Sequence, residues 1–287
     1  MFEIIYRFDP ESPLNPKLPS TAEEARRYLV QGNRDFARLT TQRSKQKRSR
    51  VISFDPRALG WGLPVKDAPV QVPFAAVLGC ADARVPTEMV FCKGCNDLFV
   101  VRVAGNVLGD ECLGSLRYAV HHFPGTLKLL VVLAHSKCGA VTEAVDIYLE
   151  PRRYLAMATD HSIRAIEDQI LVAVRAAAIA LDAVNGPDVI RKPGYRAAMI
   201  EAAVVLNAAW SAYCLQKELR DSFPHIGVVF GTYDLVSHQV RLPLSPPGEL
   251  TDAENDLFSP PADVEGFRQL AAQVCGGKLI QNLLSRK

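Results

Sequence analysis

The 287-residue sequence has little net charge and no long uncharged apolar run. Lysine and arginine together number 33 against 31 acidic residues, which leaves a net charge of +2. A balance this close to neutral argues against nucleic acid as a partner. The alanine-rich stretches between residues 161 and 220 are broken by Arg175, Asp182 and Glu201. We therefore expect no membrane span, which requires about 20 predominantly apolar residues.

The sequence also lacks the features of a secreted protein. The first residues, MFEIIYRFDPESP, contain neither the basic start nor the apolar run of a secretory signal. The 7 cysteines are an odd number scattered over a mid-sized chain. In a reducing compartment, clustered cysteines more often bind metals or act in catalysis than form disulfides. We expect a cytoplasmic protein with reduced thiols.

Apolar residues are abundant, at 48% of the chain, and their pattern predicts the fold. Runs that are nearly continuous in Val, Leu and Phe indicate parallel strands buried on both faces. Such runs alternate with segments of helical periodicity, which predicts an α/β fold with a mainly parallel central sheet flanked by helices. The predicted strands are 74–79, 98–103, 127–134 and 226–232, with a short edge strand at 236–242, and the predicted helices are 21–39, 111–122, 161–184, 195–220 and 264–284.

We expect a single domain over residues 1–287. Residues 44–67 are polar and punctuated by proline and glycine, which favours an extended surface arm. The expected parts are an N-terminal helix and arm (1–70), a sheet core (71–150 and 221–245), a helical insertion (151–220) and a C-terminal tail and helix (246–287).

Two clusters of reactive side chains follow two of the predicted strands. The stretch LGCADARVPTEM places Cys80, Asp82 and Arg84 at the end of the first strand, and AHSKCGAV places His135 and Cys138 at the end of the third. Ligand sites in parallel α/β sheets form outside the carboxyl ends of the strands, so these clusters are expected to converge. Two thiolates and one imidazole suit Zn²⁺ and leave the fourth tetrahedral position open.

A second zinc hypothesis uses other cysteines. Cys92-x-x-Cys95 together with His135-x-x-Cys138 satisfies the pattern of a closed, structural site. It would leave Cys80 unexplained and would recruit thiols from the amino end of the second strand. We therefore prefer the first hypothesis and interpret Cys92 and Cys95 as unpaired thiols in a turn.

These two clusters, in this order, resemble the signature of a known family. Cys80-Ala-Asp82-Ala-Arg84 together with His135-x-x-Cys138-Gly139 resembles the signature of the β-class carbonic anhydrases. Either half of the signature alone would be weak, but both occur in order and in strand context. Further likeness lies in LVQGNRDF (29–36), DLFVVRVAGN (97–106), SLRYAV (115–120) and GVVFGTYD (227–234).

The resemblance implies roles for individual residues. Cys80, His135 and Cys138 would hold Zn²⁺. Asp82 would either fill the fourth position in a closed state or pair with Arg84, so that the carboxylate orients a zinc-bound hydroxide. The implied substrate-binding residues are Gln71, which would reach in from a partner subunit, and Phe99, Ala104, Tyr118 and Gly139.

The implied function is that of a zinc lyase, a carbonate dehydratase working as a homodimer or higher homo-oligomer. It would catalyse the reversible hydration of carbon dioxide to bicarbonate and a proton. Two alternatives remain: a carbon disulfide or carbonyl sulfide hydrolase on the same fold, and a weakly active zinc-binding scaffold or sensor. Two departures from the family pattern leave room for the scaffold, since Ala83 replaces a serine and Val103 follows Arg102 in place of asparagine. The helices between 161 and 220 look longer than the family's usual connection, and we expect them to extend the dimer interface or to dock another protein.

Overall fold

The computed structural model describes residues 2–9, 18–41, 48–62, 68–245 and 256–286. Within these ranges the chain forms strands and α-helices joined by short turns. The strands are β1 (Phe2–Phe8), β2 (Arg48–Phe54), β3 (Ala75–Cys80), β4 (Leu98–Val103), β5 (Leu129–His135), β6 (Gly227–Tyr233) and β7 (Val240–Arg241). The helices are α1 (Ala22–Thr41), α2 (Thr87–Val90), α3 (Asp110–His122), α4 (Gly139–Leu149), α5 (Arg152–Ala156), α6 (His161–Asn185), α7 (Tyr195–Leu219), α8 (Val264–Gly276) and α9 (Lys278–Leu284).

Five strands form the central sheet that the apolar runs predict. Their order is β4-β3-β5-β6-β7, and the last strand pairs antiparallel while the other pairs are parallel. The register places Gly79 of β3 opposite Leu133 of β5 and Arg102 of β4. Every residue of β3 and β5 is buried, as expected for parallel strands covered on both faces. The predicted α/β fold with a mainly parallel sheet is confirmed.

Helices cover both faces of this sheet, because successive side chains of a strand point to opposite sides. Leu78 and Val132 belong to a core shared with α3, α4, α6 and α7. Val77 and Val131 belong to a second core, shared with α1. The sheet is therefore the middle of three layers, and its strand ends are the places where the layers leave room for a site.

The predicted helical insertion (151–220) contains α5, α6 and α7, of which α6 and α7 agree with the helices predicted at 161–184 and 195–220. The chain turns between them at Gly186, whose φ of 82° favours glycine. By length and composition α7 would be able to cross a membrane, but 83% of its most apolar stretch is buried inside the fold. Packing against the sheet accounts for its apolar side chains. On the outer side of α6, Ile179 is 71% exposed. Docking of another protein at these helices stays a prediction.

The prediction of a single helix over residues 264–284 is wrong, because the structure has two helices there. The helix breaks at Gly277, which separates α8 from α9. A Cβ at Gly277 would lie 2.9 Å from the carbonyl oxygen of Leu244, and the same oxygen accepts a hydrogen bond from the Leu279 backbone at 2.9 Å. Close approach of the segment after β7 therefore causes the break.

The N-terminal part is more ordered than the predicted arm. The first helix is confirmed as α1, and its Ala25 and Leu29 are completely buried. Within the predicted arm, β2 pairs in parallel with β1, and residues 42–47 and 63–67 lie outside the described ranges. The buried side chain of Asn33 donates to the carbonyls of Val90 and His238. These bonds connect α1 with the end of α2 and with the segment between β6 and β7.

Candidate metal centre

Strand pairing brings the two halves of the predicted site together. Cys80 is the last residue of β3 and His135 is the last residue of β5, and these strands are parallel neighbours. Cys138 follows β5 after a short turn and occupies the N-cap position of α4, without a capping hydrogen bond from its side chain. The convergence predicted from the sequence therefore occurs at the carboxyl edge of the sheet.

The three side chains form a compact buried cluster. The Cys80 Sγ, the Cys138 Sγ and a ring nitrogen of His135 all lie within 4.8 Å of one another, and the two sulfurs are 3.9 Å apart. The exposed fractions of Cys80, His135 and Cys138 are 5%, 0% and 2%. A cluster of two thiols and one imidazole at these distances could hold a metal ion.

Hydrogen bonding leaves the other nitrogen of His135 free for a ligand. Its Nδ1 lies 3.0 Å from the carbonyl oxygen of Ser136, which only accepts, so Nδ1 carries the proton. Its Nε2 is buried and makes no hydrogen bond in the described part of the chain. Buried polar atoms are nearly always satisfied, and this orphaned nitrogen beside two thiols fits a metal ion.

Hydrogen bonding and burial shift the pKa values of the two thiols in opposite directions. The hydrogen bond from Cys138 and the contact with His135 lower the pKa of Cys80 to about 4, although burial opposes this. The bond with Cys80 and burial raise the pKa of Cys138. Burial alone lowers the pKa of His135, but its contacts with Cys80 raise it overall. One sulfur is therefore ready as a thiolate, the form that binds metals.

Asp82 lies beside the cluster and is held by Arg84. The guanidinium donates to both carboxylate oxygens at 2.9 and 2.6 Å, and the Arg84 backbone N–H donates at 2.8 Å. These bonds hold the pKa of Asp82 well below its usual range. The nearer oxygen of Asp82 is 3.7 Å from the Nε2 of His135. The carboxylate thus faces the cluster as an anion in a fixed orientation.

One residue that sequence reasoning missed lies against the same turn. The guanidinium of Arg102 in β4 donates to the backbone carbonyls of Cys80 and Asp82. The sequence signal was a charged residue within the apolar strand 98–103. Because its contacts depend on the register between β3 and β4, the sequence alone did not assign them.

The predicted pocket residues are distributed more widely than the metal ligands. The rings of Phe99 and Tyr118 neighbour each other, with centroids 6.4 Å apart, and Tyr118 is 49% exposed. Ala104 lies in the turn directly after β4, and Gly139 is the first residue of α4, with open space around its Cα. Gln71 precedes β3, at the opposite end of that strand from Cys80. A single chain therefore does not bring Gln71 to its own site.

The alternative site built on Cys92 and Cys95 is wrong. Cys92 packs in the core on the α1 side of the sheet, and Cys138 packs in the core on the opposite side. Among the described residues, the group within ligand distance consists of Cys80, His135 and Cys138. The Cys92-x-x-Cys95 spacing arises from a turn before β4, where Cys92 has a φ of 47°.

Comparison with known sequences agrees with this geometry. Residues 75–209 match the sequence model of the family described as "Carbonic anhydrase". This part of the chain, slightly less than half of it, is similar to the carbonic anhydrase family. The predicted resemblance is thereby confirmed, and the matched segment contains all three residues of the cluster together with Asp82 and Arg84.

Individual carbonic anhydrases show how far the likeness extends. "Carbonic anhydrase 2" of Mycobacterium tuberculosis (strain H37Rv) is 48% identical over 75 residues, which are 26% of this chain and 35% of that protein. "Carbonic anhydrase" of Mycolicibacterium smegmatis is 49% identical over 71 residues, 25% of this chain and 34% of that protein. The matched stretch thus spans about a third of the length of these curated relatives.

Solved structures of carbonic anhydrases are more distant in sequence. A Coccomyxa β-carbonic anhydrase in complex with acetazolamide has a TM-score of 0.47 and 20% identity, with 60% of this chain and 72% of that chain covered. A tetrameric β-carbonic anhydrase of Sordaria macrospora has a TM-score of 0.43 and 18% identity, with 60% and 81% covered.

Proposed function

We propose that this protein is a zinc-dependent carbonic anhydrase that interconverts carbon dioxide and water with bicarbonate and a proton. The observation that carries the proposal is the buried Cys80–His135–Cys138 cluster, placed beside the Asp82–Arg84 pair, in which His135 Nε2 has no hydrogen-bond partner among the described residues. The match of residues 75–209 to the carbonic anhydrase family model supports the same activity.

Each side chain has a defined task in this proposal. Cys80, His135 and Cys138 hold the zinc, with the Ser136 carbonyl fixing the histidine tautomer. Zinc, when bound, is a Lewis acid that lowers the pKa of a water molecule to roughly 7. Asp82, at the edge of the cluster, would accept a hydrogen bond from this water molecule. Arg84 keeps the Asp82 carboxylate ionised and holds it in its orientation towards the cluster.

We further propose that the active unit is a homodimer. Among the described strands, β4 is an edge of the sheet, and Tyr118 on the adjoining helix is half exposed. A partner at this edge would cover the ladder groups that β4 leaves free. It would also provide the route by which Gln71 of one chain contributes to the site of the other. Mass determination in solution tests this, and a monomer with full activity would contradict it.

A reducing compartment, as in the cytoplasm, remains our proposal for the location. All seven cysteines are free thiols, which supports the proposal because such thiols persist where disulfides are reduced. Titration of thiols in protein isolated under oxygen-free conditions checks it. Disulfides already present at isolation would contradict it.

Stopped-flow hydration of carbon dioxide by the zinc-loaded protein tests the function. We expect turnover far above that of the metal-free protein, with zinc content near one per chain. Background activity at full zinc occupancy would contradict the proposal and favour a zinc-binding scaffold. The same preparation assayed with carbon disulfide and carbonyl sulfide separates the alternative hydrolase, which would turn over these substrates in preference to carbon dioxide.

A further inference from the structure

Arg102 connects the edge strand β4 with the turn that carries Cys80 and Asp82. Its Nε donates to the carbonyl oxygen of Cys80 at 3.0 Å, and its Nη2 donates to the carbonyl oxygen of Asp82 at 2.5 Å. The two carbonyls are two residues apart. One planar guanidinium therefore spans the backbone of the ligand residue and that of the carboxylate residue.

The contact begins where the sheet hydrogen bonds stop. The last bond between β3 and β4 runs from the Ala81 N–H to the Val103 carbonyl at 3.1 Å. Beyond it the chain turns, and the Asp82 carbonyl accepts from the Val85 N–H at 3.1 Å as well as from Arg102. Arg102 thus adds a contact between β4 and the chain one residue beyond the last backbone hydrogen bond. This contact lies in the turn that sets the direction of the Asp82 side chain.

We propose that Arg102 is a positioning residue whose guanidinium fork fixes the Cys80–Asp82 turn, so that Cys80 faces the metal cluster and the Asp82 carboxylate meets Arg84. Arg84 holds the side chain of Asp82, whereas Arg102 holds its backbone. The two arginines therefore have separate roles on one residue. The kinetic part of this inference rests on the proposed carbonic anhydrase function, and the metal-binding part does not.

The planar shape of the Arg102 side chain is what allows it to bridge two carbonyls. A guanidinium presents several N–H donors in a rigid plane, whereas a lysine ammonium is a compact point charge. Lysine at this position would keep the charge but would lose the fixed bridge between the two carbonyls. Charge and geometry can consequently be separated by a conservative substitution.

The experiment compares Arg102→Gln, Arg102→Lys and the control Arg117→Gln. Arg117 is also an exposed arginine, and it pairs with Glu218 away from the site, so the control removes the same charge. We expect both Arg102 variants to bind zinc about 10- to 100-fold more weakly in chelator competition. At saturating zinc, kcat should fall by a similar factor while KM stays within about twofold, since Arg102 acts on the turn and not on the substrate. The control should match the wild type.

Three results would overturn the inference. Wild-type zinc affinity and kcat in Arg102→Gln would show that the contact has no function. Full recovery in Arg102→Lys would show that charge alone matters. Equal losses in Arg117→Gln would show a general effect of charge removal. If Arg102→Gln does not fold, as judged by circular dichroism, the lysine variant decides. If wild-type protein fails to hydrate carbon dioxide, the proposed function fails, but zinc affinities of the variants still decide the role of Arg102.

Discussion

The sheet carries thiols at both of its ends, and the two groups differ in chemistry. At the carboxyl end, the hydrogen bond from Cys138 lowers the pKa of Cys80 to about 4. At the amino end of β4, burial raises the pKa of Cys92 and of Cys95. The residue type is the same, but Cys80 has a donor and an imidazole beside it, whereas burial dominates at Cys92. Reactive character thus comes from polar neighbours and not from the spacing of the cysteines.

Carboxylates at the two ends repeat this contrast. Hydrogen bonds from Arg84 hold the pKa of Asp82 below its usual range. Burial raises the pKa of Asp97, which accepts only a backbone hydrogen bond, from Gly94 at 2.7 Å, among the bonds described. The carboxyl end stabilises charge and the amino end disfavours it, which makes matched substitutions at the two ends informative.

The largest effect is expected for the metal. Cys138→Ala removes one of three ligands and should reduce zinc content from about one per chain to background, whereas Cys92→Ala should retain full zinc. Metal analysis after gel filtration measures both. Full zinc in Cys138→Ala would refute the ligand assignment, and loss of zinc in Cys92→Ala would erase the distinction between the two ends.

The next effect concerns the carboxylates. Asp82→Asn keeps the shape but loses the anion that faces the cluster, and carbon dioxide hydration should fall about 100-fold, or roughly 2.7 kcal/mol of activation free energy. Zinc content should not change. The matched variant Asp97→Asn should keep its hydration rate within about twofold. Stopped-flow rates of the two proteins check this, and an unaffected rate in Asp82→Asn would exclude its role in orientation.

A smaller effect concerns stability and pH. Lys93, between the two thiols of the amino end, is 3% exposed, and burial lowers its pKa to about 8. Since the unfolded lysine binds its proton more tightly, folding costs free energy below pH 8, and stability should rise between pH 8 and about 10.5. In Lys93→Met this rise should vanish, with a gain of about 1–3 kcal/mol at pH 7.

Urea unfolding of both proteins at pH 7, 8, 9 and 10 measures the difference. Parallel curves for the wild type and Lys93→Met would contradict the assignment. At the other end of the sheet stability also rises with pH, but in an acidic window: the Asp82–Arg84 pair lowers the pKa of Asp82, so it contributes stability above the ordinary pKa of aspartate and loses it as the pH falls.

The smallest effect is expected at Ala83. Three donors from Arg84 already hold the Asp82 carboxylate, so the hydroxyl of Ala83→Ser adds little. The hydration rate should change by less than about twofold. A tenfold increase would show that the missing serine weakens the site.

Sequence patterns predicted the parts of the fold that depend on local composition. The apolar runs located β3, β4, β5 and β6, and polar residues at their ends located Cys80 and His135, because parallel strands share one carboxyl edge. What the sequence did not predict depends on distant packing. The break at Gly277 is caused by Leu244, and the role of Arg102 depends on strand register. The pairing of β1 with β2 joins segments separated by a whole helix.

The hydrogen bonds of Asn33 have a consequence for how the chain is made. Asn33 in α1 contacts the carbonyl of His238, which lies 205 residues further along. At about 5–20 residues per second, the ribosome needs about 10–40 s to produce that partner. During this interval the apolar face of α1, with Ala25 and Leu29, lacks its full cover. The packing of α1 is therefore completed only after residue 238 has been synthesised, and until then the nascent chain presents a natural binding surface for a chaperone.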